Sequence, residues 1–276
     1  MSDAQAVPAP ASPAADGTAP AAPHAVLMAA GKGTRMNSDL PKVLHPVAGR
    51  PMLAWVADAC FAAGVERCVV VVGYGADRVR AAMAHEPRCV FVEQTEQLGT
   101  AHAVEQARPA FENVGDTEVF VLAGDGPLIR PDTLRRLRQV HRDAGAAATL
   151  ATARLDNPDG YGRVLRDADG GFDRIVEQKD ATDDQRAVNE VNPSYYCFGR
   201  EALFDALTRV NNDNAQGEYY ITDVPAVLKR DGRTVAVVDA VPAEDVLSVN
   251  TPEQLAAVEA VLRERAAATP ETDQPR

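Results

Sequence analysis

The stretch VLMAAGKGTRMNSDLPKVLHPVAGRPML, from Val26 to Leu53, begins as an apolar strand, passes into glycines and cations, and returns to an apolar run. Apolar runs of this length that stop at a Gly-rich turn read as buried strands feeding a loop. The run PMLAWVADACFAAG then reads as a helix, with Pro51 at its first turn and Gly64 at its end. The same rhythm repeats downstream. RCVVVVGYG, RCVFVEQ and TEVFVLAGD are buried-strand runs, and TAHAVEQAR and RPDTLRRLRQVHRDAG are helical. Strands alternating with helices predict an α/β fold, a mostly parallel sheet covered on both faces. After about Thr149 the pattern shifts to short strand-like segments joined by turns, an insertion or second lobe on the same sheet. TVAVVDA returns to strand, and TPEQLAAVEAVLRER closes the fold as a helix capped by Thr251.

The chain of 276 residues carries a formal charge of −12 and 46% hydrophobic residues. That charge speaks against nucleic acid and anionic membranes as partners, and no apolar run is long enough to span a membrane. Cys60, Cys68, Cys89 and Cys197 form no CxxC pair and sit in apolar runs. They read as buried free thiols, which fits a reducing cytoplasm. Residues 1–23 are rich in Ala and Pro and read as a disordered tail, as do residues 266–276. The domain is expected over 24–265.

Open parallel sheets bind ligands beyond the carboxyl ends of their strands. Three polar segments fall at such ends: AAGKGTRM, EQTEQLGTAHA and AGDGPL. In the first, Ala29, Ala30 and Gly31 let backbone N–H groups approach a phosphate, and Lys32 and Arg35 add charge. It is neither a P-loop nor a complete dinucleotide fingerprint, and a strand-to-helix turn with surface cations would look similar. Lys42, stiffened by Pro41, can reach a phosphoryl group from the other side. Asp125 follows a buried strand and suits Mg²⁺, which takes one or two protein oxygens with phosphates and water; an Asp-Gly turn is the alternative. Glu177 and Asn192 suit the hydroxyl or amide groups of a sugar. Tyr161, Tyr219 and Tyr220 would wall a pocket or simply fill the core.

Taken together, AAGKGTRMNSDLPKVLH, EQLGTAHAV, GDGPLI, GYGRV, IVEQKDATDDQR, NAQGEYYITD and SVNTPEQL resemble the uridylyltransferase domain of bacterial bifunctional N-acetylglucosamine-1-phosphate uridylyltransferases. More broadly they resemble sugar-phosphate nucleotidyltransferases. The resemblance implies a Rossmann-like nucleotidyltransferase fold, with the sugar-binding part at about 150–222. It implies UTP and a sugar 1-phosphate as substrates, Mg²⁺ as cofactor, and UDP-N-acetylglucosamine and pyrophosphate as products. It places Ala29, Ala30, Gly31, Lys32 and Gly124 along the nucleotide and Gln94, Gly99 and Thr100 at the uracil. Arg35 and Lys42 act on phosphates, Asp125 and Asn250 hold the metal, and Gly162, Glu177 and Asn192 contact the sugar.

The sequence departs from that pattern in three places. No hexapeptide repeats of an acetyltransferase β-helix are found, so that second activity is not expected. Asn192-Pro193-Ser194 stands where Asn-Thr-Gly is usual, and Ala123-Gly124-Asp125-Gly126 stands where Tyr-Gly-Asp-Val is usual. The last two departures fall at the pocket and motivate a second reading, the same chemistry on a glucose- or galactosamine-type 1-phosphate. A third reading is a non-catalytic nucleotide-sugar binding module. Oligomeric state is left open.

Overall fold

The computed structural model describes residues 21–239 and 241–268. The elements follow the expected alternation. Strand β1 is His24–Ala29; a small hairpin, β2 Pro46–Val47 and β3 Arg50–Pro51, precedes helix α1 Met52–Ala62. Next come β4 Arg67–Val72, α2 Ala76–Ala82, β5 Cys89–Glu93, α3 Thr100–Glu105, β6 Glu118–Ala123 and α4 Pro131–Asp143. The second half contains β7 Ala148–Arg154, β8 Gly162–Arg166, β9 Phe172–Val176, α5 Asp183–Arg186, β10 Glu190–Asn192, β11 Tyr195–Gly199 and α6 Arg200–Leu207. It ends with α7 Val224–Arg230, β12 Val235–Asp239 and α8 Pro252–Ala268.

Ten strands form one mixed sheet in the order β5-β4-β1-β6-β11-β7-β10-β8-β9, with β12 paired to β7. The strands β5, β4, β1 and β6 are parallel. Strand β11 enters antiparallel between β6 and β7. The later antiparallel strands therefore extend the same sheet. Along β1 and β4 the side chains alternate between two cores. Ala25, Leu27, Cys68 and Val70 pack on one face, Val26, Val69 and Val71 on the other. A strand buried on both faces has no polar position to show, which is why these segments read as unbroken apolar runs.

The order β4-β1-β6 reverses direction at β1, so the loops leaving β1 and β6 diverge and open a crevice at their carboxyl ends. A third, smaller core lies beside it. Met36, Val47, Met52, Leu128, Val249, Val258 and Leu262 pack together there, joining α8 to the loops after β1 and β6.

Described contacts reach a few residues beyond the span 24–265 at both ends. Ala21 to Pro23 are tied down: Arg138, Thr117 and the Glu66 N–H donate to the carbonyls of Ala21, Ala22 and Pro23 at 2.7–2.8 Å. Helix α8 continues past Arg265 to Ala268, because nothing in the Ala run breaks it. Residues 1–20 and 269–276, where the tails are expected, lie outside the described residues. All four cysteines are buried and free. No described helix is long and apolar enough to cross a membrane.

Leu128 is fully buried in the third core. Leu128→Ala should lower unfolding free energy by ~2–5 kcal/mol, the cost of truncating a well-packed leucine. Urea denaturation monitored by circular dichroism measures it, and a change below ~1 kcal/mol would show that this core is loosely packed.

Candidate active site

The loop after β1 uses its glycines in two ways. A Cβ built on Gly31 would meet nothing within 4 Å, so that side of the loop faces open space. Gly33 has φ +68°, and a Cβ there would lie 2.6 Å from Lys42 Cβ. The left-handed backbone and the close approach both demand glycine. Gly33 thus seats the stem of Lys42 and aims its ammonium toward the crevice.

There Lys42 meets two acceptors, one of which it shares with Arg35. Its Nζ donates to Asn250 Oδ1 at 2.6 Å and pairs with the Asp125 carboxylate. Arg35 Nη2 donates to the same Asn250 oxygen at 2.8 Å. The Val249 N–H donates to the Asp125 carbonyl at 3.1 Å, joining the two loops that carry the acceptors. Asn250 is itself fixed from behind. Gln254 Oε1 accepts from the N–H groups of Asn250 and Thr251, while Thr251 Oγ1 accepts from the Gln254 N–H, a capping box at the start of α8. Two cations face one carboxylate and one neutral oxygen, a locally positive point on an acidic protein and an attractor for phosphate.

Beside this cluster lies a cavity of about 310 Å³. Ala29, Ala30, Gly31, Gln94, Gly99 and Thr100 line it, with Lys42 and Asp125 at one end. Gln94 is buried, and its Nε2 lies 3.1 Å from the Gly99 carbonyl and 3.0 Å from His102 Nδ1. With the amide nitrogen so engaged, Oε1 is the atom Gln94 can offer a ligand. Gly99 has φ +118°, and a Cβ there would collide with the backbone of Tyr219. That closeness lets the 98–101 segment lace to Tyr219 through two backbone hydrogen bonds of 2.8 Å. The Thr100 hydroxyl accepts from the Ile221 N–H at 2.9 Å.

The three candidate sugar residues also converge. Asn192 on β10 pairs with Gly162 on β8. A Cβ on Gly162 would lie 3.0 Å from Ile175 Cγ2 and 3.5 Å from Glu177 Oε1. Glu177 accepts from Thr222 Oγ1 at 3.0 Å and borders a separate depression of about 590 Å³ with Asp180, Tyr220, Thr222 and Asp223. Burial pushes the Glu177 carboxyl upward, and the nearby charges of Asp180, Asp223 and Glu218 add to it. Asn192 Nδ2 donates to the Tyr196 hydroxyl at 2.6 Å, and its Oδ1 accepts from the Ser194 N–H at 3.2 Å. Ser194 links the two regions: it follows the strand break at Pro193, adopts φ +63°, and lines the first cavity.

A single family covers all of these residues except those of the 249–254 segment. The MobA-like NTP transferase domain family matches residues 25–229. The chain belongs to that family. Among curated relatives, it is 47% identical over 242 residues to a protein named bifunctional protein GlmU from Geobacillus sp. (strain WCH70), covering 88% of this chain and 52% of the relative. It is 48% identical over 241 residues to the bifunctional protein GlmU of Geobacter metallireducens, covering 87% and 50%. It is 49% identical over 241 residues to that of Pelotomaculum thermopropionicum, covering 87% and 52%. The chain thus spans about half the length of the curated relatives it matches.

Within this family fold, two of the expected residues stand apart from the cluster. The Lys32 ammonium sits 5.2 Å from the centre of the Tyr74 ring and borders a neighbouring depression with Gly73 and Thr95. Gly124 is buried behind the crevice. Its N–H donates to the Met28 carbonyl at 3.0 Å, and a Cβ there would press on Val43 at 3.1 Å. Of the tyrosines, Tyr220 borders the sugar-side depression, whereas the Tyr161 hydroxyl donates to the Val246 carbonyl at 3.2 Å.

Sequence reasoning missed Arg163. It is fully buried, its Nη1 donates to the Tyr161 carbonyl, and its Nε and Nη2 reach the Arg186 carbonyl at 3.3 Å. It therefore ties the turn before β8 to the end of α5. The GYGR string was the available signal, since an arginine opening a buried strand needs acceptors inside.

A carboxyl whose pKa is raised by folding holds its proton more tightly in the native state. Stability is then lost as pH rises from the ordinary carboxylate range through the raised value. Glu177→Gln removes that loss while keeping the acceptor for Thr222. The melting temperature of the variant, relative to the parent, should rise as pH increases from about 4 to about 8. A difference that stays flat with pH would show that Glu177 is not a strained buried acid.

Proposed function

We propose that the chain is a uridylyltransferase that joins UTP to N-acetylglucosamine 1-phosphate, giving UDP-N-acetylglucosamine and pyrophosphate. The convergence of Arg35, Lys42, Asp125 and Asn250 at the mouth of the cavity carries this reading. The sequence resemblance to uridylyltransferase domains supports it, as does the similarity to proteins named bifunctional protein GlmU.

Asp125 and Asn250 fit a Mg²⁺ ion. Both present a hard oxygen to the same cationic nitrogen of Lys42, and two protein oxygens completed by phosphates and water suit this metal. When bound, Mg²⁺ supplies charge neutralisation across the phosphates.

The residues of the chain do the rest. The alanines and Gly31 let the nucleotide lie against the backbone, and Gln94 Oε1 can accept from a uracil N–H. Glu177 and Asn192 offer polar atoms to the sugar. An oxygen of the sugar phosphate forms a bond to the α-phosphorus as the bond from that phosphorus to the bridging oxygen breaks. Pyrophosphate leaves with the electron pair. The nucleophile is already an anion, so no side chain must remove a proton. Arg35 and Lys42 hold two anions together and offset the charge that builds on the leaving group.

Ser194 favours a second reading. Its side chain, held in a left-handed turn beside Asn192, lines the first cavity, and another hexose 1-phosphate is the alternative acceptor. The deciding assay measures pyrophosphate release from UTP and Mg²⁺ with N-acetylglucosamine 1-phosphate, beside glucose 1-phosphate and an EDTA control. Release that requires the N-acetyl sugar and Mg²⁺ is expected. Preference for another sugar would keep the chemistry and change the acceptor. No release with any sugar 1-phosphate would leave a binding module.

Arg35→Ala and Lys42→Ala should each lower turnover by at least ~10²-fold, the scale of removing one preorganised electrostatic contact. Losses below about threefold in both would take these residues out of the mechanism.

A further inference from the structure

Asp245 has a side chain only 1% exposed, yet it is ionisable and does not line the cavity. Two arginines close on it. Arg130 Nε lies 2.6 Å from Oδ2 and Arg130 Nη2 donates to Oδ1 at 3.0 Å, while Arg265 pairs with Oδ1. The arginines come from different places. Arg130 ends the loop that begins at Asp125, and Arg265 lies near the end of α8, where its Nη1 also donates to the Leu128 carbonyl at 3.1 Å. Glu244, more exposed, touches the same two guanidiniums. The backbone beside Asp245 is held as well: its carbonyl accepts from the Tyr195 hydroxyl at 3.0 Å, and the Val246 carbonyl accepts from Tyr161.

This clamp sits at the root of a short strap. The chain leaves Asp245, reaches the fully buried Val249, whose N–H meets the Asp125 carbonyl, and then presents Asn250 to Lys42 and Arg35. The strap contains no regular strand and lies outside the 25–229 family match. Its end is placed by what grips its root, by Val249 and by the Gln254 cap at the start of α8. Arg130 and Arg265 tie that root to the Asp125 loop and to α8. We propose that Asp245, Arg130 and Arg265 are positioning residues that hold Asn250 and Asp125 in register with each other. This inference rests on the proposed roles of Asp125 and Asn250 in the reaction.

Asp245→Asn keeps the side-chain shape but removes the charge that offsets two facing arginines. It should lower kcat by ~10–100-fold, the usual effect of losing a residue that orients a ligand from behind. The KM for UTP should stay within about threefold, because the uracil end of the cavity is untouched. Mn²⁺ binding to the enzyme with UTP, followed by electron paramagnetic resonance, should weaken by about tenfold. A double-mutant cycle with Asn250→Ala decides the route of the effect. If Asp245 acts through Asn250, Asp245→Asn should cost less than about threefold more in the Asn250→Ala background. Arg130→Gln, which leaves Arg265 on the buried carboxylate, should give the same pattern at smaller size and stands in the cycle if Asp245→Asn does not fold. An impaired Asn250→Ala combined with effects that multiply, or with a normal Asp245→Asn, would overturn the inference and leave the proposed chemistry standing. A normal Asn250→Ala would overturn both.

Discussion

Two cationic side chains, Arg35 and Lys42, converge on a single neutral oxygen of Asn250. Cations at such close quarters repel unless an acceptor stands between them and an anion lies near. Asn250 is that acceptor and Asp125 that anion. The arrangement explains why four segments must meet. The loop after β1 brings Arg35, the turn at Lys42–Leu44 brings Lys42, the carboxyl end of β6 brings Asp125, and the strap before α8 brings Asn250. A site that stores unbalanced positive charge on an acidic protein is prepared for a polyphosphate before one arrives.

The third core makes this meeting possible. Met36 follows Arg35 directly, Leu128 belongs to the Asp125 loop, and Val249 precedes Asn250, and all three are buried against α8 or its neighbours. Three of the four functional residues thus have an apolar residue of this core close by in sequence as an anchor, and Lys42 has Val43 in the main core. The chemistry is carried on loops, but those loops are pinned by packing, so the precision comes from the hydrophobic effect acting one or a few residues away.

Much of this was legible in the sequence. The apolar runs of β1, β4 and β6 could only be strands buried on both faces, and their polar ends named the rim where Asp125 and the glycine loop sit. Thr251 declared the start of α8. Other features were hidden for physical reasons. The sequence cannot say that Lys32 turns to Tyr74 while Lys42 turns to the crevice, because direction depends on Gly33 and its backbone conformation. Nor does the sequence show that Gly124 donates its N–H to the Met28 carbonyl in a spot too tight for a Cβ. Arg163 and Asp245 look like surface charges, since burial of an ion is set by partners distant in the chain: Arg186 for one, Arg130 and Arg265 for the other. Ser194 reads in the sequence as a departure at the pocket, but its positive φ is visible only in the structure.

The four buried thiols carry a separate consequence. Cys60, Cys68 and Cys89 lie on α1, β4 and β5, where the Cys60 thiol and burial hold the Cys68 proton on, and the Cys68 thiol and burial hold the Cys89 proton on. Cys197 lies on the antiparallel strand β11, where burial, helped by the Glu118 charge, does the same. A protonated, enclosed thiol is a poor nucleophile and does not meet reagents in solution. Alkylation of this protein is therefore a clock for opening, with three timers in the parallel half of the sheet and one at its junction with the antiparallel half. Mass spectrometry of the modified peptides would read whether the two halves come apart together or in turn.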